Sequence, residues 1–457
     1  MTIQRAQSGI TWSGRSLEGP QTVLYNALVD DQRGMPGARG RRPAPIAALV
    51  TAVTLAVCLF VAAGAANQLG AAMARPARKS ISTVAKRCKG SSNPTFLSSN
   101  RRVAQTAGRR LMAVYDPHGS GQQLAWRDRG EPWRRRTRGA VSNGFFPDAR
   151  PGDRAASLAV ARDSEGRQHA WIVWAAGNFT GGRLPLVMRR LSGLGASGGP
   201  RVGPPVTLAR AGSGHARPDL AFEGSKANKR AAVVWVDRAG DSSFDLTVAW
   251  ITNLGVDSPA LRVPTVLSSS RRPATGTLVE TSNGLRVVAT VGRGRLKVFR
   301  HRDHQPLSRW VRGRGSVVVG RKSKPSAVLL GRRRILAAAA GRHKNVVVVA
   351  RFRRNGNRPK TVLRLEGYSQ PSLSRVGRRA VLVMIRRRDQ RVVSRAFRPG
   401  RGWTKHDKVE IRRVRGRHLA WPSTMRESAN RLHFVVQGAR CRTSRSRNGV
   451  LSLSRLV

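Results

Sequence analysis

A unit of four short segments recurs seven times between residue 94 and the end of the chain. Each unit opens with a triplet that often begins with proline, as in Pro218-Asp219-Leu220. Successive triplets are 46 to 62 residues apart, and their third residues are Val103, Leu158, Leu220, Leu278, Ala327, Leu373 and Thr424. A period of this length is typical of an array of similar structural units, so residues 94–457 are predicted to form one repeat domain.

The second segment of every unit is a near-continuous apolar run, at residues 111–115, 170–174, 231–236, 285–291, 335–340, 380–385 and 432–436. A short strand that is apolar on both faces belongs between packed sheets. The third and fourth segments are more polar, and the alternation within 244–251 predicts a half-exposed strand. Four short strands repeated seven times predict an all-β fold, a seven-bladed β-propeller with four-stranded blades.

The final unit contains only three such segments, so the ring needs one more strand from elsewhere. Residues 95–98 lie just before the first unit, and we expect them to pair with the last blade. Cys88 and Cys441 are the two cysteines outside the apolar amino-terminal run. In an oxidising compartment they could form a disulfide between the first and last segments; free thiols and an intermolecular bond are the alternatives.

Residues 46–66 form an uncharged apolar run, long enough to cross a bilayer as one hydrophobic helix. Basic residues precede the run and small residues follow it, so it is either the apolar region of a signal peptide or an uncleaved membrane anchor. We expect residues 1–45 to be a disordered extension, with Met35 as an alternative start to Met1, and residues 67–93 to be a linker. The chain is therefore predicted to be secreted or held in the cell envelope.

The 85 basic residues far outnumber the 23 acidic ones, giving a net charge of +62. Such an excess attracts polyanions. In a propeller, the turns between second and third strands gather on one face. Here they carry the predicted ligand-binding residues Arg293, Arg342, His343, Arg386, Arg387, Arg388, Arg440 and Arg442. Guanidinium groups suit phosphates and carboxylates, so the expected partner is an anionic glycan or another polyanion.

One turn of the first unit reads Asp128-Arg129-Gly130-Glu131-Pro132-Trp133. It resembles the D-x-G-x-x-W core of the Asp-box, or BNR, repeat of sialidase-like β-propellers. The match is degenerate, because Trp126 stands where that family has Ser or Thr. The resemblance implies that Asp128, Gly130 and Trp133 form a structural turn on the face opposite the active site of that family.

A glycosidase generally needs a pair of carboxylates, and no recognisable pair occurs from residue 276 onward. The segment His301-Arg302-Asp303-His304 lies in an arginine-rich loop without further ligand residues, so we expect solvated histidines and no metal. No cofactor motif is present. The sequence therefore predicts a non-catalytic protein that binds anionic polymers such as acidic or phosphate-rich glycans. The alternatives are a sialidase-like glycoside hydrolase and, second, a basic nucleic-acid-binding protein, which the export signal disfavours.

Overall fold

A computed structural model describes the residues from which the following account is drawn: 80–87, 102–115, 122–135, 154–176, 184–211, 216–223, 230–239, 243–254, 259–282, 284–301, 306–321, 323–343, 345–412, 419–428, 430–437 and 447–456. Segment 46–66, residues 95–98, Cys88, Arg440, Cys441 and Arg442 lie outside them. Within the described ranges, no helix is long and apolar enough to span a membrane.

Seven antiparallel sheets, here called blades 1 to 7, account for all the strands in these ranges. The first strands are Val103–Gln105, Arg154–Arg162, Asp219–Phe222, Thr275–Thr281, Ser326–Leu330, Tyr368–Val376 and Ala420–Ser428. The second strands are Leu111–Tyr115, Gln168–Ala175, Arg230–Arg238, Gly284–Val291, Arg334–Ala340, Arg379–Arg386 and Arg431–Gln437. These second strands coincide with the seven apolar runs, which confirms the repeat.

The outer half of each blade is less regular. The third strands are Gln123–Arg127, Leu184–Ser192, Phe244–Thr252, Arg295–Arg300, Val346–Arg353, Arg391–Arg398 and Arg447–Leu456. The fourth position is filled in turn by Arg134–Arg135, Arg201–Ala211, Ala260–Leu261 with Thr265–Ser270, Val311–Arg312 with Val317–Val318, Lys360–Glu366, Gly402–Trp403 with Lys408–Ile411, and Ser80–Arg87.

The seven blades close into a ring. Each first strand contacts the first strands of both neighbouring blades, so these strands surround the central channel. Seven separate apolar cores lie between successive blades, and the seventh joins blade 7 to blade 1 through residues such as Val435 and Tyr115. Because each sheet buries its faces only against its neighbours, the stability of every blade depends on this closure.

Blade 7 is completed by a strand from the amino-terminal side of the repeats, as expected, but from a different segment. Ser80–Arg87 pairs antiparallel with Arg447–Leu456, from Ser80 opposite Ser454 to Arg87 opposite Arg447. The segment expected to do this, residues 95–98, lies outside the described residues. The closing strand instead comes from within the region that the sequence had suggested to be a linker.

The third strand of blade 3 corrects a second expectation. Thr247 and Ala249 were expected to face solvent, yet they are buried, as are Leu246, Val248 and Trp250 on the other face. The reason is the ring itself. Ala249 packs in the core shared with blade 2, whereas Trp250 packs in the core shared with blade 4. Both faces of a third strand are therefore covered.

A series of side-chain hydrogen bonds joins the first strands around the channel. The second residue of the opening triplet is Ser, Thr or Asp in blades 2 to 7. In five of them its oxygen accepts a hydrogen bond from a backbone N–H of the next blade; the pairs are Ser157 with Leu220, Asp219 with Leu278, Ser326 with Leu373, Ser372 with Thr424, and Ser423 with Arg102. These bonds fix the position of each first strand along the channel axis relative to the first strand of the next blade.

Candidate functional site

The turns between second and third strands lie on one face of the ring, here called the basic face. First strands also begin on this face, because each fourth strand returns the chain to it. Contacts between the two kinds of segment confirm the arrangement: Tyr368 N donates to Asn345 O over 3.0 Å, and Arg387 N donates to Gly367 O over 2.8 Å. The mouth of the channel and the predicted basic turns therefore share one side of the molecule.

Three consecutive blades present basic side chains on this face. Arg293 in blade 4, Arg342 with His343 in blade 5, and Arg388 in blade 6 are exposed, and Arg387 is half-buried. None of these side chains forms a hydrogen bond or ion pair with a described residue. Their guanidinium groups are accordingly available to an anion arriving from solvent.

Arg386 is in a different situation from its two neighbours. Its guanidinium donates to Asp389 over 2.6 Å and to Asp407 over 3.3 Å. Asp407 also accepts hydrogen bonds from Tyr368 at 2.6 Å and from Arg395 at 2.8 Å. The guanidinium is therefore used within blade 6, where it ties the second strand to the turn that precedes the last strand.

Arg386 and Arg395 keep the carboxylates of Asp389 and Asp407 ionised. The hydrogen bond from Arg386 lowers the pKa of Asp389. Burial raises the pKa of Asp407, but the hydrogen bonds from Tyr368 and Arg395 outweigh it, so the pKa is lowered overall. Burial and the neighbouring Asp407 in turn raise the pKa of Tyr368. Neither carboxylate suits the role of a general acid at neutral pH, which requires a raised pKa.

A second basic group, absent from the sequence prediction, lies at the channel mouth. Lys324 stands just before the first strand of blade 5 and is only 8% exposed. Its Nζ donates one long hydrogen bond, 3.5 Å, to Arg217 O in blade 3. Burial lowers the pKa of Lys324 to about 7; Asp219 raises it, whereas Arg217 and Arg102 lower it further. These four residues from blades 1, 3 and 5 therefore lie within electrostatic reach of one another.

The neighbours of Lys324 are held in place by the strand ends. Asp219 is fully buried and accepts hydrogen bonds from the hydroxyls of Ser157 and Thr277. Arg102 is 1% exposed and donates to Gln122 over 3.1 Å. The opening triplets gave a signal for this group, because positions 217 and 324 both directly precede its proline. An interpretation based only on the apolar third residue of each triplet does not find this group.

The turn that resembles an Asp-box lies on the opposite face, between the third and fourth strands of blade 1. Asp128 receives two hydrogen bonds from Arg110, at 2.8 and 2.9 Å, and the hydrogen bonds lower its pKa. Gly130 has a φ of 84°, a conformation that favours glycine. Trp133 donates its indole N–H to Ser452 and Ser82. Asp128 and Trp133 therefore have structural partners, and Gly130 supplies the turn conformation.

The segment at residue 301 differs from its expectation. His301 is fully buried rather than solvated, lying edge-on against Trp250 with ring centroids 4.9 Å apart. No group of three metal-ligating side chains occurs among the described residues.

No family model matches the chain, and no curated protein matches its sequence. Solved structures are similar in fold. An ulvan lyase is 11% identical, with a TM-score of 0.53 over 82% of this chain and 95% of that one. A lectin of Aleuria aurantia is 11% identical (TM-score 0.44, 70% and 99% covered), and the NanB sialidase of Streptococcus pneumoniae is 11% identical (TM-score 0.41, 81% and 70% covered).

At this identity, the likeness to the lyase shows the propeller fold alone. A sialidase is also among the similar structures. Membership of the Asp-box family remains a prediction.

Proposed function

We propose that this protein is an exported, non-catalytic propeller whose basic face binds anionic polymers such as acidic or phosphate-rich glycans. The observation that carries the proposal is the series of exposed arginines without carboxylate partners in three consecutive blades. Arg293, Arg342 and Arg388 follow the curve of the ring, as successive charges of a polymer lying over it require. Arg440 and Arg442, which belong to the same predicted set, lie outside the described residues.

Non-catalytic binding is supported by the state of the nearby carboxylates. Asp389 and Asp407 are engaged by arginines that lower their pKa values. A glycosidase needs one carboxyl group that is protonated before it donates to the leaving oxygen. Neither Asp389 nor Asp407 is therefore suited to supply that proton.

The test is a charge-matched pair of triple variants. Substituting Arg293, Arg342 and Arg388 by Gln removes three charges from the basic face. The control substitutes Arg332, Arg378 and Arg401, which are exposed in turns on the opposite face. Binding of dextran sulfate and polyphosphate is measured over a range of salt concentrations, with neutral dextran as the uncharged reference.

We expect the first variant to bind about a hundredfold more weakly and with a shallower salt dependence, since each of the three charge-assisted contacts contributes of order 1 kcal/mol. The control variant should stay within about twofold, because only the long-range attraction changes. Equal losses in the two variants would show that net charge, rather than this face, determines binding. Duplex DNA that competes more strongly than both polymers would favour the nucleic-acid alternative.

Export and anchoring belong to the same proposal. Residues 46–66 would direct the chain across the membrane and then be removed or retained as an anchor. Mass spectrometry of the mature amino terminus tests this: a start after residue 66 indicates cleavage, and an intact segment in the membrane fraction indicates an anchor. A full-length chain recovered from the cytoplasm would contradict export.

A further inference from the structure

Two cationic residues at the channel mouth, Lys324 and Arg217, lie within electrostatic reach of each other. Arg217 forms no side-chain hydrogen bond or ion pair with a described residue, and Lys324 has only the 3.5 Å contact to a carbonyl. Burial lowers the pKa of Arg217, as it does that of Lys324. A buried ammonium group has three donors, and two of them here are unused.

The local charge is positive even when the nearby acid is counted. Lys324 lies within electrostatic reach of two arginines, Arg217 and Arg102, and of one carboxylate, Asp219. That carboxylate already accepts from two hydroxyls and one backbone N–H, supplied by blades 2 and 4. Buried charges are normally paired, yet neither Lys324 nor Arg217 forms an ion pair with a described residue.

The backbone at Arg217 points to the same conclusion. Its φ of 44° is in the left-handed region, which is unfavourable for a non-glycine residue and more so before a proline. Strained conformations of this kind concentrate at ligand sites. Gln370, the equivalent residue in blade 6, has a φ of 54°, so the channel mouth holds two such positions.

We propose that the channel mouth binds one small oxyanion, a sulfate, phosphate or carboxylate group, between Lys324 and Arg217. The site is separate from the exposed turns of the basic face and does not depend on polymer binding. Its ligand is either a free ion or a single charged group of a larger molecule that enters the channel.

Binding should be linked to proton uptake. An anion stabilises the protonated form of Lys324 and raises its pKa above the value of about 7 in the unliganded protein. The groups that face Lys324 are Arg102 in blade 1 and Arg217 and Asp219 in blade 3. Affinity should therefore be highest below pH 7 and should fall as the pH rises above it.

The experiment is calorimetric titration of the full-length protein with sulfate, which does not itself titrate in this range, at pH 6 and pH 8 in buffers of different ionisation enthalpy. We expect uptake of a large fraction of one proton at pH 8 and little at pH 6. Lys324→Gln and Arg217→Gln should each weaken binding about tenfold. Lys324→Arg should retain binding within about threefold but lose the proton uptake, because guanidinium does not deprotonate.

Lys360→Arg, at an exposed lysine on the outer strand of blade 5, is the matched control and should behave as the wild-type protein. Wild-type affinity in Lys324→Gln, or the absence of proton uptake at pH 8, would overturn the proposal. If Lys324→Gln does not fold, the comparison of wild type with Lys324→Arg decides alone. Repeating the titration with dextran sulfate present distinguishes the two sources: blocked uptake assigns the site to a group of the polymer, and unchanged uptake assigns it to a free ion.

Discussion

Trp133 donates its indole N–H to Ser452 Oγ over 2.8 Å and thereby joins the first blade of the ring to the last. Ser452 Oγ is in turn 2.8 Å from Ser82 Oγ, which lies on the closing strand Ser80–Arg87. Arg127 adds a cation–π contact to the same indole, 5.3 Å from the ring centroid. A residue singled out by its resemblance to an Asp-box thus stabilises the closure between the two ends of the repeat.

We expect Trp133→Phe to reduce the free energy of unfolding by about 1–3 kcal/mol, because two buried hydroxyls lose a donor. Denaturant unfolding followed by circular dichroism measures this. Trp403 occupies the corresponding turn of blade 6, but its buried indole nitrogen has no hydrogen-bond partner among the described residues. Trp403→Phe therefore loses no hydrogen bond and should cost less. A larger loss in Trp403→Phe would contradict the role of Trp133 in closure.

Asp219 in blade 3 accepts hydrogen bonds from blades 2 and 4 and so links three blades. Removing its carboxylate in Asp219→Ala leaves Ser157, Thr277 and the N–H of Leu278 without their acceptor, and should cost about 3 kcal/mol or more. Ser326→Ala removes a neutral acceptor at the equivalent position of blade 5 and should cost about 1 kcal/mol. Urea unfolding of both variants gives the comparison; equal losses would show that the charge of Asp219 has no special role.

Asp163 should make stability depend on pH in the acid range. Its hydrogen bond to His169, with those from Arg167, lowers its pKa from 3.8 to about 2. A carboxylate with a lowered pKa in the folded state contributes stability above its unfolded pKa, and this contribution is lost as the pH falls from about 4 to 2. Asp163→Asn should therefore be less stable than wild type at pH 6, and the difference should shrink towards pH 2.

Thermal unfolding at several pH values tests this prediction. Glu165→Gln, in the same turn but half-exposed to solvent, is the control and should change stability little at any pH. A gap between wild type and Asp163→Asn that is the same at pH 6 and pH 2 would rule out the linkage.

The pairing of the closing strand bears on the predicted disulfide between Cys88 and Cys441, two residues outside the described ranges. Arg87 pairs with Arg447, so Cys88 follows directly on a residue paired with the start of the last strand, and Cys441 is six residues before that start. We expect peptide mapping of the exported protein without reductant to find the two cysteines joined. Cys88→Ser and Cys441→Ser should then each cost about 2–5 kcal/mol, and the double variant no more than either. Free thiols at both positions would refute the pairing.

The sequence was sufficient for the blades because each strand carries its own apolar signal. The run Leu111–Tyr115 was predicted with both boundaries correct, since a strand buried on both faces needs uninterrupted apolar residues. Ser80–Arg87 has no such signal. Ile81 is 52% exposed, whereas Val84 is buried. The strand that pairs with Ser80–Arg87 lies at least 360 residues further along the chain. Pairing over such a distance leaves no local pattern.

Some features of the candidate sites could likewise be predicted from the sequence, and others could not. Exposed turn arginines such as Arg342 could be found by counting strands, because the turn between the second and third strands has a fixed place in a propeller. That Arg386 is paired with two aspartates depends on the register of blade 6, which the sequence does not state. Lys324, Arg217 and Arg102 come from alternate blades. They lie near one another only when the ring is closed.

The two strands that close the ring are synthesised at different times, and this order has a consequence for folding. The strand Ser80–Arg87 emerges before any blade, whereas the strand that it pairs with, Arg447–Leu456, is made only after the other six sheets. Until that moment, six sheets can be complete while the seventh has an unpaired edge open to other chains. A chain that stops before Arg447 should therefore keep an open strand edge that can pair with other chains, rather than form a slightly shorter propeller.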